Sequence, residues 1–173
     1  RLMPDDERLL RTFGGDARPH FEEIVTFFYE RAREHDEAHA VFVDEEQIAR
    51  LHKSLVLWLE RVMTGPYDAA YVERSRRIGR VHVQVGLPQR YMFTAMALFR
   101  NSLCSLAIRF LKADAEATCA AISRILDLEL ALMNAEYQRA TYERTQRIEA
   151  RARMQLMAAL RGDDKLYAVA VDL

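Results

Sequence analysis

Helix breakers are scarce in this chain. Its 173 residues include only six glycines and four prolines, and most fall between long amphipathic stretches. No alternating pattern reads as a strand before the last few residues, where Tyr167-Ala168-Val169-Ala170-Val171 stands. There are two cysteines, Cys104 and Cys119, and neither belongs to a C-x-x-C pair or a C-x-x-C-H. That argues against a structural zinc, a thioredoxin-like site and a covalently attached c-type haem. Both sit among apolar residues and read as small core residues, which fits a reducing, cytoplasmic compartment. No charge dominates. With 25 basic and 26 acidic residues the formal net charge is −1, so no basic excess points to nucleic acid and no acidic block to a disordered tail. The longest charge-free apolar run, Tyr91 to Phe99, is well short of the ~20 residues a spanning helix needs. The N-terminus has no apolar signal core, and the missing initiator Met suggests a start inside a longer gene product.

What is present is helical periodicity. Pro4-Asp5-Asp6 opens a short first helix ending near Gly14-Gly15. Pro19 suits the first turn of a second helix, running to about His35 with Phe21, Ile24, Val25, Phe28 and Ala32 on its apolar side. A short segment, Glu37 to Val43, follows. Asp44 and Gln47 resemble a capping box for a helix to Thr64, closed by Gly65-Pro66, whose stripe is Ile48, Leu51, Leu55, Trp58 and Val62. Asp68 begins a helix to Gly86 with an inner face of Tyr71, Ile78, Val81, His82 and Val85. Another helix runs from Pro88 to about Lys112. The last begins near Asp114 and meets no breaker before Gly162. About 48 residues at ~1.5 Å each make it about 70 Å long, so it is expected to project from the domain. The expected organisation is one all-α domain over 1–160, its final helix spanning about 114–161, and a linker or tail over 161–173. Such a chain is either a bundle or a globin-like fold.

Candidate chemistry narrows to one residue. His20, His35 and His39 lie at helix ends or in connections and read as surface histidines; His52 lies one residue off an apolar stripe. His82 shares a face with Ile78, Val81 and Val85. A buried imidazole needs a partner for both ring nitrogens. A core histidine bonded to a carbonyl meets that need, and so does a metal ligand. A lone histidine cannot hold a structural zinc, which takes about four ligands. It can hold a haem iron, whose other bonds come from the porphyrin. No Gly-rich phosphate loop, G-x-S-x-G or H-E-x-x-H competes, and the carboxylates fall mostly on polar helix faces.

The segment Ile78-Gly79-Arg80-Val81-His82-Val83-Gln84-Val85-Gly86-Leu87-Pro88-Gln89-Arg90-Tyr91-Met92 resembles the F–G junction of globin-coupled sensors. There I-G-x-x-H precedes G-[LIV]-x-P-x-x-Y or a form shorter by one residue, and the shorter form stands here. Phe27-Phe28-Tyr29 resembles the family's B helix with its distal tyrosine, and His82 follows Tyr29 by 53 residues, a similar separation. Leu51 and Ser54 fall where the family has distal E-helix residues. Asp5 to Leu10 resembles the extra N-terminal helix of these sensors. The resemblance covers about residues 2–160.

It implies an all-α globin-like fold with an extra N-terminal helix and a long C-terminal helix, dimerising through a four-helix bundle. It further implies a b-type haem held by His82 as metal ligand, and O2 as a ligand with Tyr29 as hydrogen-bond donor. The cofactor-binding residues it implies are Phe28, Tyr29, Leu51, Ser54, Leu55, Trp58, Val62, Ile78, Val81, His82, Val85, Tyr91 and Met96. Arg77, Arg80, Arg90 and Lys53 are candidates for the haem propionates, with a solvated role as the alternative. The final helix carries one strip of Leu126, Leu130, Met133, Tyr137 and Ala140 and another of Ile125, Leu128 and Leu132, so one can meet the core and the other a second copy. The leading expectation is therefore a cytoplasmic, homodimeric oxygen-sensor domain. It is not itself an enzyme, and it feeds an output domain such as a histidine kinase, diguanylate cyclase or chemotaxis transducer. A stand-alone protoglobin-like globin with oxygen-binding or redox chemistry is the alternative, and a phosphorelay bundle a third. No nucleic-acid or membrane partner is expected.

Overall fold

The computed structural model describes residues 2–160, and the tail expected over 161–173 lies outside them. Seven α-helices follow in order: α1 (Pro4–Ala17), α2 (Phe21–Arg33), α3 (Asp36–His39), α4 (Glu45–Thr64), α5 (Ala69–Gln84), α6 (Gln89–Leu111) and α7 (Ala115–Leu160). Turns of 3₁₀ helix, Arg18–His20 and Lys112–Asp114, join α1 to α2 and α6 to α7. Among the described residues there is no strand, as the scarcity of breakers and of alternating runs predicts.

The helix starts follow from local chemistry. Asp44 accepts the Gln47 N–H at 2.6 Å while the Gln47 side chain accepts the Val43 N–H at 2.7 Å, so the two residues cap α4 reciprocally. Asp68 caps α5 by accepting the Tyr71 N–H at 2.8 Å. One end differs from expectation. The first helix does not stop at Gly14-Gly15 but continues to Ala17. The cause is packing: a Cβ on Gly14 would lie 2.9 Å from Met63 Cβ, so glycine there admits α4 rather than ending α1.

The described residues form two compact units, one up to Glu136 and one from Tyr137. In the first, α4 and α6 each pack against α1 and α2, and Leu10, Phe13, Phe21, Leu59, Met63, Leu103, Ile122, Ile125 and Leu126 form the fully buried core. The guanidinium of Arg124 grips the Asp6 carboxyl through two hydrogen bonds, tying α1 to α7, and it holds that carboxyl below the usual range. Within Gln89–Ala159 one window reaches a mean hydropathy of 1.2, enough by length and composition to cross a membrane. In α6, however, Met92, Met96, Phe99, Leu103 and Ala107 are buried against the rest of the unit, as in the core helix of a globular protein. In the second unit, residues 138–159 are exposed except for the half-buried Ala140 and Met157.

The fifth helix departs from the expected inner face. Its buried residues are Tyr71, Ser75 and Gly79, whereas Ile78 and His82 are half-buried and Val81 and Val85 are 45% and 48% exposed. Two faces share this helix. One is core; the other is apolar and not covered by the polypeptide. The core face meets α7 at very short range: a Cβ on Gly79 would lie 2.6 Å from the Met133 carbonyl oxygen and 2.8 Å from its Cα. Met133 is thus 3% exposed and belongs to the core.

Two glycine-to-alanine changes should therefore act in opposite directions. Gly79→Ala forces a methyl against backbone and should cost about 1–3 kcal/mol. Gly15→Ala, inside α1 with nothing within 4 Å of the added carbon, should stabilise by about 0.5–1 kcal/mol. Denaturant unfolding of both variants measures the difference; equal signs would contradict the close crossing.

Candidate functional site

The His82 segment is organised by how α5 ends. Gly86, at φ +70°, sits just past the helix in the left-handed region that glycine tolerates. Its N–H reaches the Val83 carbonyl at 3.1 Å, and the Leu87 N–H reaches the His82 carbonyl at 3.0 Å. This pair of bonds is a Schellman cap. It places His82 in the last full turn of α5 and turns the chain into α6, where Pro88 is the N-cap. The two glycines of the motif thus have different physical tasks: Gly79 admits α7, and Gly86 stops α5.

His82 is held without adequate polar company. Its Nδ1 is buried and has no hydrogen-bond partner among the described residues. Burial also lowers its pKa, which favours the neutral imidazole, the form that coordinates metals. On the same helix Val81 and Val85 leave apolar surface uncovered, and on α4 Leu51 is 37% exposed and Leu55 half-buried. Helices α4 and α5 do not pack closely on each other; α4 is bound to α1 and α2, and α5 to α7 through Gly79. An under-satisfied imidazole and open apolar side chains, on helices that do not close on each other, fit a large flat hydrophobic group bearing a metal. Among the described residues no cluster of His, Cys, Asp and Glu could hold a metal by itself, so the remaining ligands would have to come with the group.

On the α2 side, Tyr29 is 8% exposed and sits in an aromatic cluster. Its ring meets Phe28 at 5.0 Å, Phe42 at 5.8 Å and His52 at 5.9 Å between centroids. Phe28 continues to Phe99 at 5.2 Å and Phe99 to Trp58 at 5.4 Å. Burial pushes the Tyr29 hydroxyl up to about 12, so it stays protonated and able to donate across the neutral range. His52, read from sequence as a flank residue, stacks on Tyr29 with 25° between the rings. It contacts Thr26 Oγ1 through Nε2 at 3.1 Å and Glu22 through Nδ1 at 3.3 Å. Only its position one residue off the α4 stripe hinted at this.

The other expected residues scatter. Val62, Trp58 and Met96 are buried in the core. Ser54 is exposed and gives its one proton to the Arg50 carbonyl at 3.1 Å. Tyr91 is half-buried, with its hydroxyl 3.5 Å from Glu37 and its ring near His35 and Arg90. Of the four cations, Arg80 pairs with Glu73 and Glu136 and Arg90 with Glu37. Arg77 and Lys53 have no ion-pair partner among the described residues.

Comparison with known proteins agrees with this geometry. The structure is similar to the globin domain of the Geobacter sulfurreducens globin-coupled sensor, at 25% identity and a TM-score of 0.74, covering 78% of this chain and 90% of that one. It also shares its fold with the globin domain of E. coli DosC in a ferric form, at 14% identity and a TM-score of 0.67, covering 78% and 91%. None of the curated proteins matches. The globin fold and the likeness to globin-coupled sensors expected from the His82 segment are thus both found. A family model, Protoglobin, matches residues 1–143, and the chain belongs to the protoglobin family.

Proposed function

We propose that this chain is a haem-based oxygen sensor domain, with His82 as the protein ligand of a b-type haem and an output domain as its partner. The observation that carries this reading is the His82 imidazole, half-buried with Nδ1 buried and unpaired among the described residues, beside the uncovered Val81 and Val85 of α5. The haem supplies an iron able to bind a diatomic gas. The protein's residues do the rest. Val81, Val85, Ile78, Leu51 and Leu55 offer apolar surface to its faces and keep water away. Gly79 and the cap at Gly86 fix the height and direction of His82. Arg77 and Lys53, without ion-pair partners among the described residues, are available to the propionates. No residue set in the chain suggests catalysis, and the cytoplasm is the compartment this reading implies. Replacing His82 by Ala should abolish the five-coordinate ferrous spectrum of the purified protein mixed with haemin and reduced. An unchanged spectrum in the variant would overturn the assignment.

Tyr29 is the donor we assign to oxygen. A hydrogen bond to a charged acceptor contributes roughly 1.5–3 kcal/mol, or about ten- to a hundredfold in affinity. The bond forms only once the gas has arrived, so the effect belongs mainly to release. Ser54, also expected near the haem, is exposed and already gives its proton to the Arg50 carbonyl. In Tyr29→Phe, stopped-flow measurement should show oxygen leaving at least several-fold faster and carbon monoxide nearly unaltered. Equal oxygen release in parent and variant would exclude Tyr29 as the donor.

The partner we assign to α6 and α7 is a second copy. On α6, Phe93 and Ile108 are 47% and 66% exposed, and on α7 Leu128 and Leu132 are half-buried while Ile125, Leu126 and Met133 are taken up by the core. Leu128→Arg with Leu132→Arg should turn a dimer into a folded monomer in analytical ultracentrifugation; an unaltered dimer would place the interface elsewhere.

A further inference from the structure

A carboxyl group lies where a globular core ordinarily has none. Glu129 of α7 is 0% exposed. Burying such a group is costly unless its oxygens are hydrogen-bonded, and here both are. Oε2 accepts the indole N–H of Trp58 at 3.1 Å, and Oε1 lies 2.7 Å from the Ser75 hydroxyl, whose single proton has the Tyr71 carbonyl at 3.1 Å as its other acceptor. The Tyr71 hydroxyl stands nearby, its pKa raised by burial and then by Glu129.

The two donors come from different helices. Trp58 belongs to α4 and Ser75 to α5, which do not pack closely on each other. Each donor also leads to one side of the candidate haem site. From Trp58, ring contacts run through Phe99 and Phe28 to Tyr29. Ser75 lies on the core face of α5, four residues before Gly79, on the helix that carries His82. Further along α7, Met133 receives Gly79, and Glu136, 7% exposed, faces Arg80 at 3.5 Å. Positions 129, 133 and 136 form one face of α7, and its polar member at the deep end is the one that reaches both α4 and α5. An apolar residue at 129 could fill the volume, but it could accept neither hydrogen bond.

We propose that Glu129 is a positioning residue. Through Trp58 and Ser75 it couples both helices flanking the haem site to α7, so that a change in the separation of α4 and α5 displaces α7. This rests on the reading that the site between them holds haem. The indole can only donate, whereas the Ser75 hydroxyl both donates and accepts. Glu129→Gln could therefore keep both contacts, its oxygen accepting from Trp58 and its amide donating to Ser75 Oγ, whereas Glu129→Leu, of similar size, can accept neither donor.

The test compares parent and Glu129→Leu by hydrogen exchange of the haem-loaded full chain, with and without carbon monoxide. The ultraviolet resonance Raman band of the indole N–H is read alongside. Trp58 is the only tryptophan, so that band reports one bond. In the parent, carbon monoxide should change exchange in α4, in α5 and in residues 122–136 of α7. In the variant, the changes in α4 and α5 should persist with an unaltered Soret band, while the α7 response falls several-fold. The indole band should shift even without haem. Ser75→Ala, a smaller perturbation, should weaken the α7 response while leaving the indole band in place, and it carries the test if Glu129→Leu does not fold. An α7 response equal to the parent's in either folded variant overturns the coupling. Absence of a Soret band in the parent overturns the haem reading, and the coupling with it.

Discussion

The crossing of α5 over α7 at Gly79 is the constraint on which the site depends. Two helix backbones come so close there that a single added carbon would sit inside contact distance of the Met133 backbone. Packed interiors transmit such displacements instead of absorbing them. The crossing sets how deep α5 sits, and hence where His82, three residues later, presents its imidazole. It also sets the rotation of α5: with Tyr71, Ser75 and Gly79 turned to the core, His82, seven residues after Ser75, lies half-buried at the margin of that face, and Ile78, Val81 and Val85 extend the apolar surface beside it.

That arrangement is unfavourable for the polypeptide alone. Val81 and Val85 expose apolar area, and a buried imidazole nitrogen goes without a hydrogen bond. Helices α4 and α5 do not pack closely on each other. What keeps them apart is that each already has other partners: α4 is occupied by α1 and α2, and α5 by α7. A surface kept open by commitments elsewhere is where a helical protein can receive a flat apolar cofactor, since binding then offsets a deficiency already present.

The buried polar groups of α7 extend this logic. Glu129 and Glu136 lie seven residues apart, on either side of the close crossing, and each faces a polar group of α5. Apolar contacts tolerate sliding, whereas a carboxyl with two directed donors has a narrow optimum. The face of α7 that meets α5 is consequently specified in register as well as buried. The same helix continues to Leu160.

Much of this was legible in the residues. The near absence of glycine and proline, together with three- and four-residue apolar spacing, determines that the chain is helical. Asp44 with Gln47, and Asp68, determine where α4 and α5 begin, because a capping side chain acts on backbone groups only three residues away. The His82–Gly86 spacing likewise determines how α5 ends, since a left-handed residue must follow the last turn for the cap to form. Periodicity could not decide which side of α5 is core: its apolar residues cover more than one face, and only the approach of α7 at a residue without a side chain selects between them. Nor could it reveal that Gly14 lies inside a helix, that Met133 is core, that His52 stacks on Tyr29, or that Glu129 is buried. A glutamate in a helix is normally solvated, and position 129 is exceptional because Trp58 and Ser75, 71 and 54 residues away in sequence, arrive at its oxygens. Local hydrogen-bond geometry is written into neighbouring residues; long-range burial is decided by which surfaces the folded helices bring together.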